Sequence, residues 1–158
     1  LEHKEYLAQD DIDPRFELAQ RLCEDIPNDM TVLAYNMSFE KSVIKKLAAN
    51  YEELSSHLLE INENMKDLMM PFQKKHYVTP YMNGSYSIKY VLPALIPKMA
   101  QAYKELDGVQ NGSQAMSAFA NMNKMEESEK QKMRTSLLEY CKLDTLAMVK
   151  ILEILKLQ

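Results

Sequence analysis

The chain has 158 residues, 46% of them apolar, which is enough to bury one sizeable core, so we predict a single domain over residues 1–158. Its net charge of -4 argues against a protein that coats nucleic acid by bulk electrostatic attraction, because such binding needs clustered Lys and Arg. The same charge is compatible with a site that binds divalent cations, since such a site needs local carboxylates.

Cysteines and apolar stretches narrow the class of protein further. Cys23 and Cys141 lack C-x-x-C spacing and the three histidines are scattered, so we predict neither a disulfide scaffold nor a zinc site. The longest apolar stretches, such as residues 91–96, fall short of the roughly 20 residues that span a bilayer, and no charged-then-apolar leader opens the sequence. We therefore expect a cytoplasmic protein with no membrane partner.

The first third of the chain predicts a strand between two helices. After a weak strand signal over residues 3–8, Asp13 as N-cap and Pro14 at the first helical position begin a helix that should end at Pro27. The run Met30 to Tyr35 is continuous, apolar and partly β-branched, which predicts a central buried strand. Apolar residues at helical spacing follow it, so strand, tight turn and helix are expected to follow one another directly.

The rest of the chain is predicted to be mostly helical. A turn at Gly84 leads to a short helix from Ile88 that Pro93 and Pro97 should interrupt. The other predicted elements are a helix over residues 51–60, a short mixed segment around residues 65–68, a flexible connection over residues 107–113, a helix over residues 114–122 and a long final helix from about Glu126 to Leu157. The predicted class is therefore α/β and rich in helix.

One candidate site follows the predicted strand. Asn36 and Glu40 lie just beyond its carboxyl end, where ligands bind in open α/β sheets. The alternative is that Asn36 or Ser38 caps the next helix and that Glu40 only complements the helix dipole.

A second candidate site lies in the final helix. Tyr140 and Asp144 are four residues apart and therefore share one face. A carboxylate can ligate a hard cation such as Mg²⁺, and a phenol one turn away can orient the attacking water or a phosphate. The alternative is a solvated surface Asp beside a Tyr that packs against the core.

Taken together, these motifs resemble those of the DEDD exonucleases of the ribonuclease H-like fold, in their tyrosine subclass. The second motif of that superfamily is an Asn followed by an aromatic-acidic pair, and its third is Tyr-x-x-x-Asp on a late helix. The chain is similar to an uncharacterised bacterial family of predicted nucleases in that superfamily, over residues 34–41, 66–68, 84–93 and 140–145. The resemblance implies a helix-rich fragment of a ribonuclease H-like fold and a metal-dependent 3'-to-5' exonuclease.

The resemblance also implies roles for individual residues. Glu40 and Asp144 would ligate Mg²⁺ or Mn²⁺, with Glu40 standing where most members have Asp, and Tyr140 would orient the attacking water. Asn36 would support the second motif from the strand end and contribute to substrate binding.

Three further residues take roles through the same resemblance. Ser87 and Lys89 would begin a helix that binds substrate phosphate through backbone N–H groups and an ammonium group. The alternative for Ser87 is an ordinary N-cap. Asp67 matches a structural or peripheral position.

The first motif of the superfamily, Asp-x-Glu, is absent from the chain, and Asp11-Ile12-Asp13 is better explained as a helix cap. We therefore expect a fragment of a longer parent protein. The fragment should bind Mg²⁺ or Mn²⁺ poorly and cleave nothing, whereas the parent would cleave single-stranded DNA or RNA. The apolar edge along Met30 to Tyr35 would then favour self-association.

Two alternatives stay open, a non-catalytic helical interaction module and a degenerate nuclease that only binds nucleic acid. The nuclease hypothesis predicts that Glu40, Tyr140 and Asp144 converge on one open patch beside the strand end.

Overall fold

The computed structural model describes residues 1–9 and 12–157, and the chain divides into two compact units. One unit is formed by residues 13–78, and the other, called here the second unit, by residues 1–12 with residues 79–158. The elements in chain order are α1 (Arg15–Asp25), β1 (Val32–Ala34), α2 (Ser38–Asn50), α3 (Glu52–Glu63), β2 (Met65–Asp67), α4 (Met70–Gln73), α5 (Ile88–Leu95), α6 (Gly112–Asn121) and α7 (Glu127–Leu155). The predicted helix-rich α/β class is confirmed. Within the part of the chain that the structure describes, no helix is both long and apolar enough to cross a bilayer.

Helix α1 is present where the sequence predicts it, but it begins at Arg15, one residue later than predicted. Pro14 occupies the N-cap position, and the Asp13 carboxylate accepts a hydrogen bond of 3.1 Å from the backbone N–H of Arg15. The Arg15 side chain also donates to Asp13 at 2.8 Å. The helix ends at Asp25, ahead of Pro27, because a proline in the next turn cannot donate the helical hydrogen bond.

The strands β1 and β2 form a parallel pair in which Val32 lies opposite Met65 and Ala34 opposite Asp67. Helices α2 and α3 make the connection between them. The prediction that this strand is central and buried is wrong, since β1 has one strand partner among the described residues and only Ala34 in it is buried. Strand β2 was not predicted because Lys66 and Asp67 make up two of its three residues.

The core of the 13–78 unit forms where α1, α2 and α3 pack together. Its buried side chains are Ala19, Ala34, Ile44, Leu47, Ala48, Leu58, Ile61 and Met65. Asn62, only 4% exposed, donates from Nδ2 to the carbonyl of Lys41 at 2.8 Å and so joins α3 to α2. A ring nitrogen of His57 lies 2.8 Å from the carbonyl oxygen of Ile26, at the end of α1. The first contact joins α3 to α2 and the second joins α3 to the end of α1, so polar bonds link the three helices beside their apolar core.

The second unit contains the long helix α7, which confirms the predicted final helix. The predicted interruption at Pro93 is wrong, because α5 continues through it to Leu95. Val91 and Leu92 beside it are completely buried, and this packing offsets the hydrogen bond that the proline cannot donate. Helix α5 ends just before Pro97.

Residues 1–9 contain no strand, contrary to the weak signal over residues 3–8. The segment is held instead by the guanidinium group of Arg134 on α7. This group donates to the carbonyl of Leu7 at 2.7 Å and to that of Ala8 at 2.8 Å. A side chain, and not a neighbouring strand, therefore satisfies these two carbonyls.

Candidate functional site

The turn between β1 and α2 is built around Asn36. Its backbone has φ +64°, in the left-handed region that Asn adopts more readily than most residues. This conformation lets the chain leave the strand and begin α2 at Ser38. Met37 occupies the N-cap position, and no side chain caps the helix there, so the capping alternative for Asn36 and Ser38 does not describe this turn.

The carboxylate of Asp67, at the end of β2, holds that turn in place. Its Oδ1 accepts hydrogen bonds from the backbone N–H groups of Asn36 and Met69, both at 2.9 Å. Its Oδ2 accepts from the N–H of Met37 at 3.2 Å. Three backbone donors therefore converge on one side chain, in agreement with the structural role that the resemblance implies for Asp67. With these bonds in place, Asp67 is a poor candidate for a metal ligand.

Glu40 lies in the first turn of α2, and its carboxylate differs from that of Asp67 in its hydrogen bonding. The side chain is half-buried, and its Oε2 atom is buried without a hydrogen-bond partner among the described residues. A buried polar atom of this kind costs free energy that a donor or a cation would recover. Glu40 is therefore the carboxylate in this unit that is best suited to bind a ligand.

In the second unit, Tyr140 and Asp144 lie one turn apart on α7, as predicted. Tyr103 donates a hydrogen bond of 2.7 Å from its hydroxyl to Oδ1 of Asp144. The rings of Tyr103 and Tyr140 are 6.4 Å apart between centroids. Tyr140 is buried, and this burial, followed by the nearby carboxylate of Asp144, raises the pKa of its phenol. The phenol therefore stays protonated at neutral pH and can act as a hydrogen-bond donor.

The sequence did not indicate Tyr103 as a partner of Asp144. The two residues are 41 positions apart, and no spacing rule joins them. An isolated Tyr between α5 and α6 carries no local signal that it will approach α7. The contact could be found only from the tertiary structure.

The raised pKa of Tyr140 leads to a testable pH dependence. The folded chain holds the phenolic proton more tightly than the unfolded chain, whose Tyr pKa is near 10. Tyr140 therefore contributes stability that is complete below pH 10 and is lost as the pH rises further. We expect Tyr140→Phe to reduce the alkaline loss of unfolding free energy by about 1 kcal/mol per pH unit, as measured by urea denaturation at several pH values from about 9 to about 11.

A matched control for this titration is Tyr81→Phe, since the Tyr81 side chain is 78% exposed. This variant should follow the parent chain at every pH. Parallel pH profiles for the parent chain and Tyr140→Phe would contradict the prediction.

Ser87 and Lys89 are at the beginning of α5, and both are exposed. Ser87 occupies the N-cap position with an extended backbone, but its hydroxyl makes no capping bond. Its backbone N–H donates instead to Oγ of Ser85 at 3.2 Å. The position of Ser87 thus agrees with the N-cap alternative, although the usual side-chain bond is missing.

The predicted site residues are distributed over both units. Asn36 and Glu40 lie in the 13–78 unit, whereas Ser87, Lys89, Tyr140 and Asp144 lie in the second unit. Within residues 1–9 and 12–157, no group of three or more His, Cys, Asp or Glu side chains is placed to hold a metal ion. Asp11, which belongs to the segment most similar to the first motif, lies outside the described residues. The described carboxylates therefore do not by themselves fit a two-metal site.

Comparison with known proteins identifies a family without an assigned function. Residues 1–87 match the family model described as a domain of unknown function, DUF2779. The chain is also 34% identical over 85 residues to "Uncharacterized protein UU173" of Ureaplasma parvum serovar 3. That match covers 50% of this chain and 12% of the relative, so the chain spans a small part of the relative's length. No solved structure matches the chain. The residues matched by the family model include Asn36, Glu40 and Asp67.

Proposed function

The chain belongs to the DUF2779 family, and we propose that it forms part of a metal-dependent 3'-to-5' exonuclease domain of the ribonuclease H-like fold. The observation that carries this proposal is the buried Oε2 atom of Glu40, which has no hydrogen-bond partner among the described residues. Glu40 follows the carboxyl end of a parallel strand, the place where ligands bind in α/β sheets. A carboxylate oxygen without a donor is suited to a divalent cation, Mg²⁺ or Mn²⁺ in this proposal.

The group on α7 supports the same chemistry. One oxygen of Asp144 accepts the Tyr103 hydrogen bond, and the carboxylate keeps further lone pairs that could bind a cation. Tyr140, whose raised pKa keeps its phenol protonated, is a hydrogen-bond donor that could orient a water molecule or a phosphate oxygen. Glu40 and Asp144 are the proposed metal ligands, and Tyr140 the proposed orienting residue.

We further propose that the 158-residue chain alone is inactive. Hydrolysis with two metal ions needs carboxylates that hold the cations about 3.5–4 Å apart. Glu40 and Asp144 supply two carboxylates, and Asp67 is engaged by backbone N–H groups. The remaining ligands would come from residues outside this sequence, in a longer protein. We propose that this longer protein acts on single-stranded nucleic acid and is located in the cytoplasm.

The experiment compares the purified chain with a longer protein that contains it. Each is incubated with 5'-labelled single-stranded DNA or RNA, in Mg²⁺, in Mn²⁺ or in EDTA. We expect the longer protein to shorten the polymer from its 3' end only when metal is present, and the 158-residue chain to leave it intact.

Either half of the proposal can fail separately. Metal-dependent digestion by the 158-residue chain would show that its own residues complete a site. A longer protein that digests neither polymer would remove the nuclease proposal and leave the non-catalytic alternatives.

A further inference from the structure

One face of α2 is lined with lysine, serine and alanine side chains. We call it the lysine face, and it consists of Ser38, Lys41, Ser42, Lys45, Lys46 and Ala49. These residues border a shallow groove of about 470 Å³ on the surface of the 13–78 unit. Their spacing of three and four residues places them along one side of the helix.

The lysine face concentrates positive charge in a chain whose net charge is -4. Lys41 and Lys45 are four residues apart, a spacing at which like charges repel and destabilise a helix. Among the residues that the structure describes, none of the three lysine side chains forms an ion pair. The described carboxylates therefore form no ion pair that would offset this repulsion. An anionic ligand would neutralise it.

Helix α2 is a firm support for this face. Its opposite side carries Ile44, Leu47 and Ala48, which are buried in the core of the 13–78 unit. The carbonyl of Lys41 is held by the side-chain amide of Asn62 at 2.8 Å. The backbone beneath the lysines is therefore fixed, so a ligand would need to order only the side chains.

Phe39 indicates what kind of anion fits. Its side chain is 64% exposed, although it is a large apolar ring at the beginning of the same helix. Phe39, Ser42 and Lys46 follow one another at spacings of three and four residues and so share one side of α2. An exposed aromatic ring beside lysines is the combination with which proteins bind single strands, since bases stack on the ring and phosphates contact the ammonium groups.

We propose that the lysine face and Phe39 bind single-stranded nucleic acid, with phosphates along Lys41, Lys45 and Lys46 and a base stacked on Phe39. The hydroxyl groups of Ser38 and Ser42 can donate further hydrogen bonds to phosphate oxygens. The biological role of this binding rests on the proposed function, but the binding itself requires no metal.

The test measures binding in EDTA, so that catalysis plays no part. Fluorescein-labelled dT20 is titrated with the 158-residue chain, and fluorescence anisotropy gives the Kd at several salt concentrations. We expect Lys45→Glu with Lys46→Glu to weaken binding at least about tenfold and to lower the slope of log Kd against log salt by about 0.7 for each phosphate that the variant no longer neutralises. Phe39→Ala should weaken binding about fivefold or more and leave that slope unchanged.

The matched control is Lys74→Glu with Lys75→Glu, an exposed adjacent pair in the same unit with the same change of charge. It should alter the Kd less than twofold, and circular dichroism should show that all variants are folded. Equal losses in the two double variants would reduce the effect to net charge and overturn the proposal. Absence of binding by the parent chain, or equal affinity for a 20-base-pair duplex, would overturn it as well. Binding without nuclease activity in the longer protein would support this inference and count against the proposed function alone.

Discussion

Replacing Glu40 with Gln in a longer protein that contains this chain is expected to lower Mg²⁺-dependent hydrolysis of single-stranded nucleic acid about a thousandfold. The carboxamide has the same shape as the carboxylate but lacks the charge that would hold a cation. Asp144→Asn should have an effect of similar size for the same reason. The measurement is the initial rate of shortening of a 5'-labelled strand at saturating Mg²⁺.

The controls are carboxylates of the same two units that are exposed to solvent. Glu63→Gln, at the end of α3, and Glu139→Gln, on α7, remove a charge without reaching a proposed ligand, and both should keep the parent rate within twofold. A rate for Glu40→Gln above a tenth of the parent value would contradict the role of Glu40 as a metal ligand.

Stability gives a second test of the same Glu40 variant. The buried Oε2 atom has no hydrogen-bond partner among the described residues, so substitution by the isosteric Gln breaks no hydrogen bond at this atom. Glu40→Gln should therefore leave Tm unchanged or raise it, whereas a structural carboxylate would lower it on substitution. Loss of activity together with kept stability is the expected signature of a residue retained for function.

The second large effect concerns Asp67. Asp67→Ala is expected to lower the free energy of unfolding by about 3–5 kcal/mol, because three backbone N–H groups lose a charged acceptor at once. Urea denaturation followed by circular dichroism measures the loss. Amide hydrogen exchange locates it, since the N–H groups of Asn36, Met37 and Met69 should exchange faster than those in the middle of α7.

Asp67→Asn separates the individual hydrogen bonds. The amide keeps an oxygen that can accept from Asn36 and Met69, but its nitrogen cannot accept from Met37. We therefore expect a loss of about half that of Asp67→Ala, with Met37 as the most affected amide. A loss below about 1 kcal/mol for Asp67→Ala would show that the turn is held by other interactions.

Much of the helical structure could be predicted because its signals are local. The cap and proline before α1, the 3.6-residue apolar period of α2 and the long pattern of α7 each depend on residues within a few turns. The succession of strand, turn and helix from residue 32 to residue 40 was predicted for the same reason. Strand β2 was not, since three residues with two charged side chains show neither alternation nor an apolar run.

The candidate site was predictable only in its residue types. The sequence by itself determined that Glu40 follows a strand and that Tyr140 and Asp144 share a helix face, because strand order and helix period settle such relations. The tertiary structure decided which carboxylate is engaged. It gives three backbone donors to Asp67, a phenol to Asp144 and a buried oxygen without a described partner to Glu40. Apart from the local bond between Met69 and Asp67, these contacts join residues 30 to 41 positions apart, and packing rather than local pattern sets side-chain contacts over such distances.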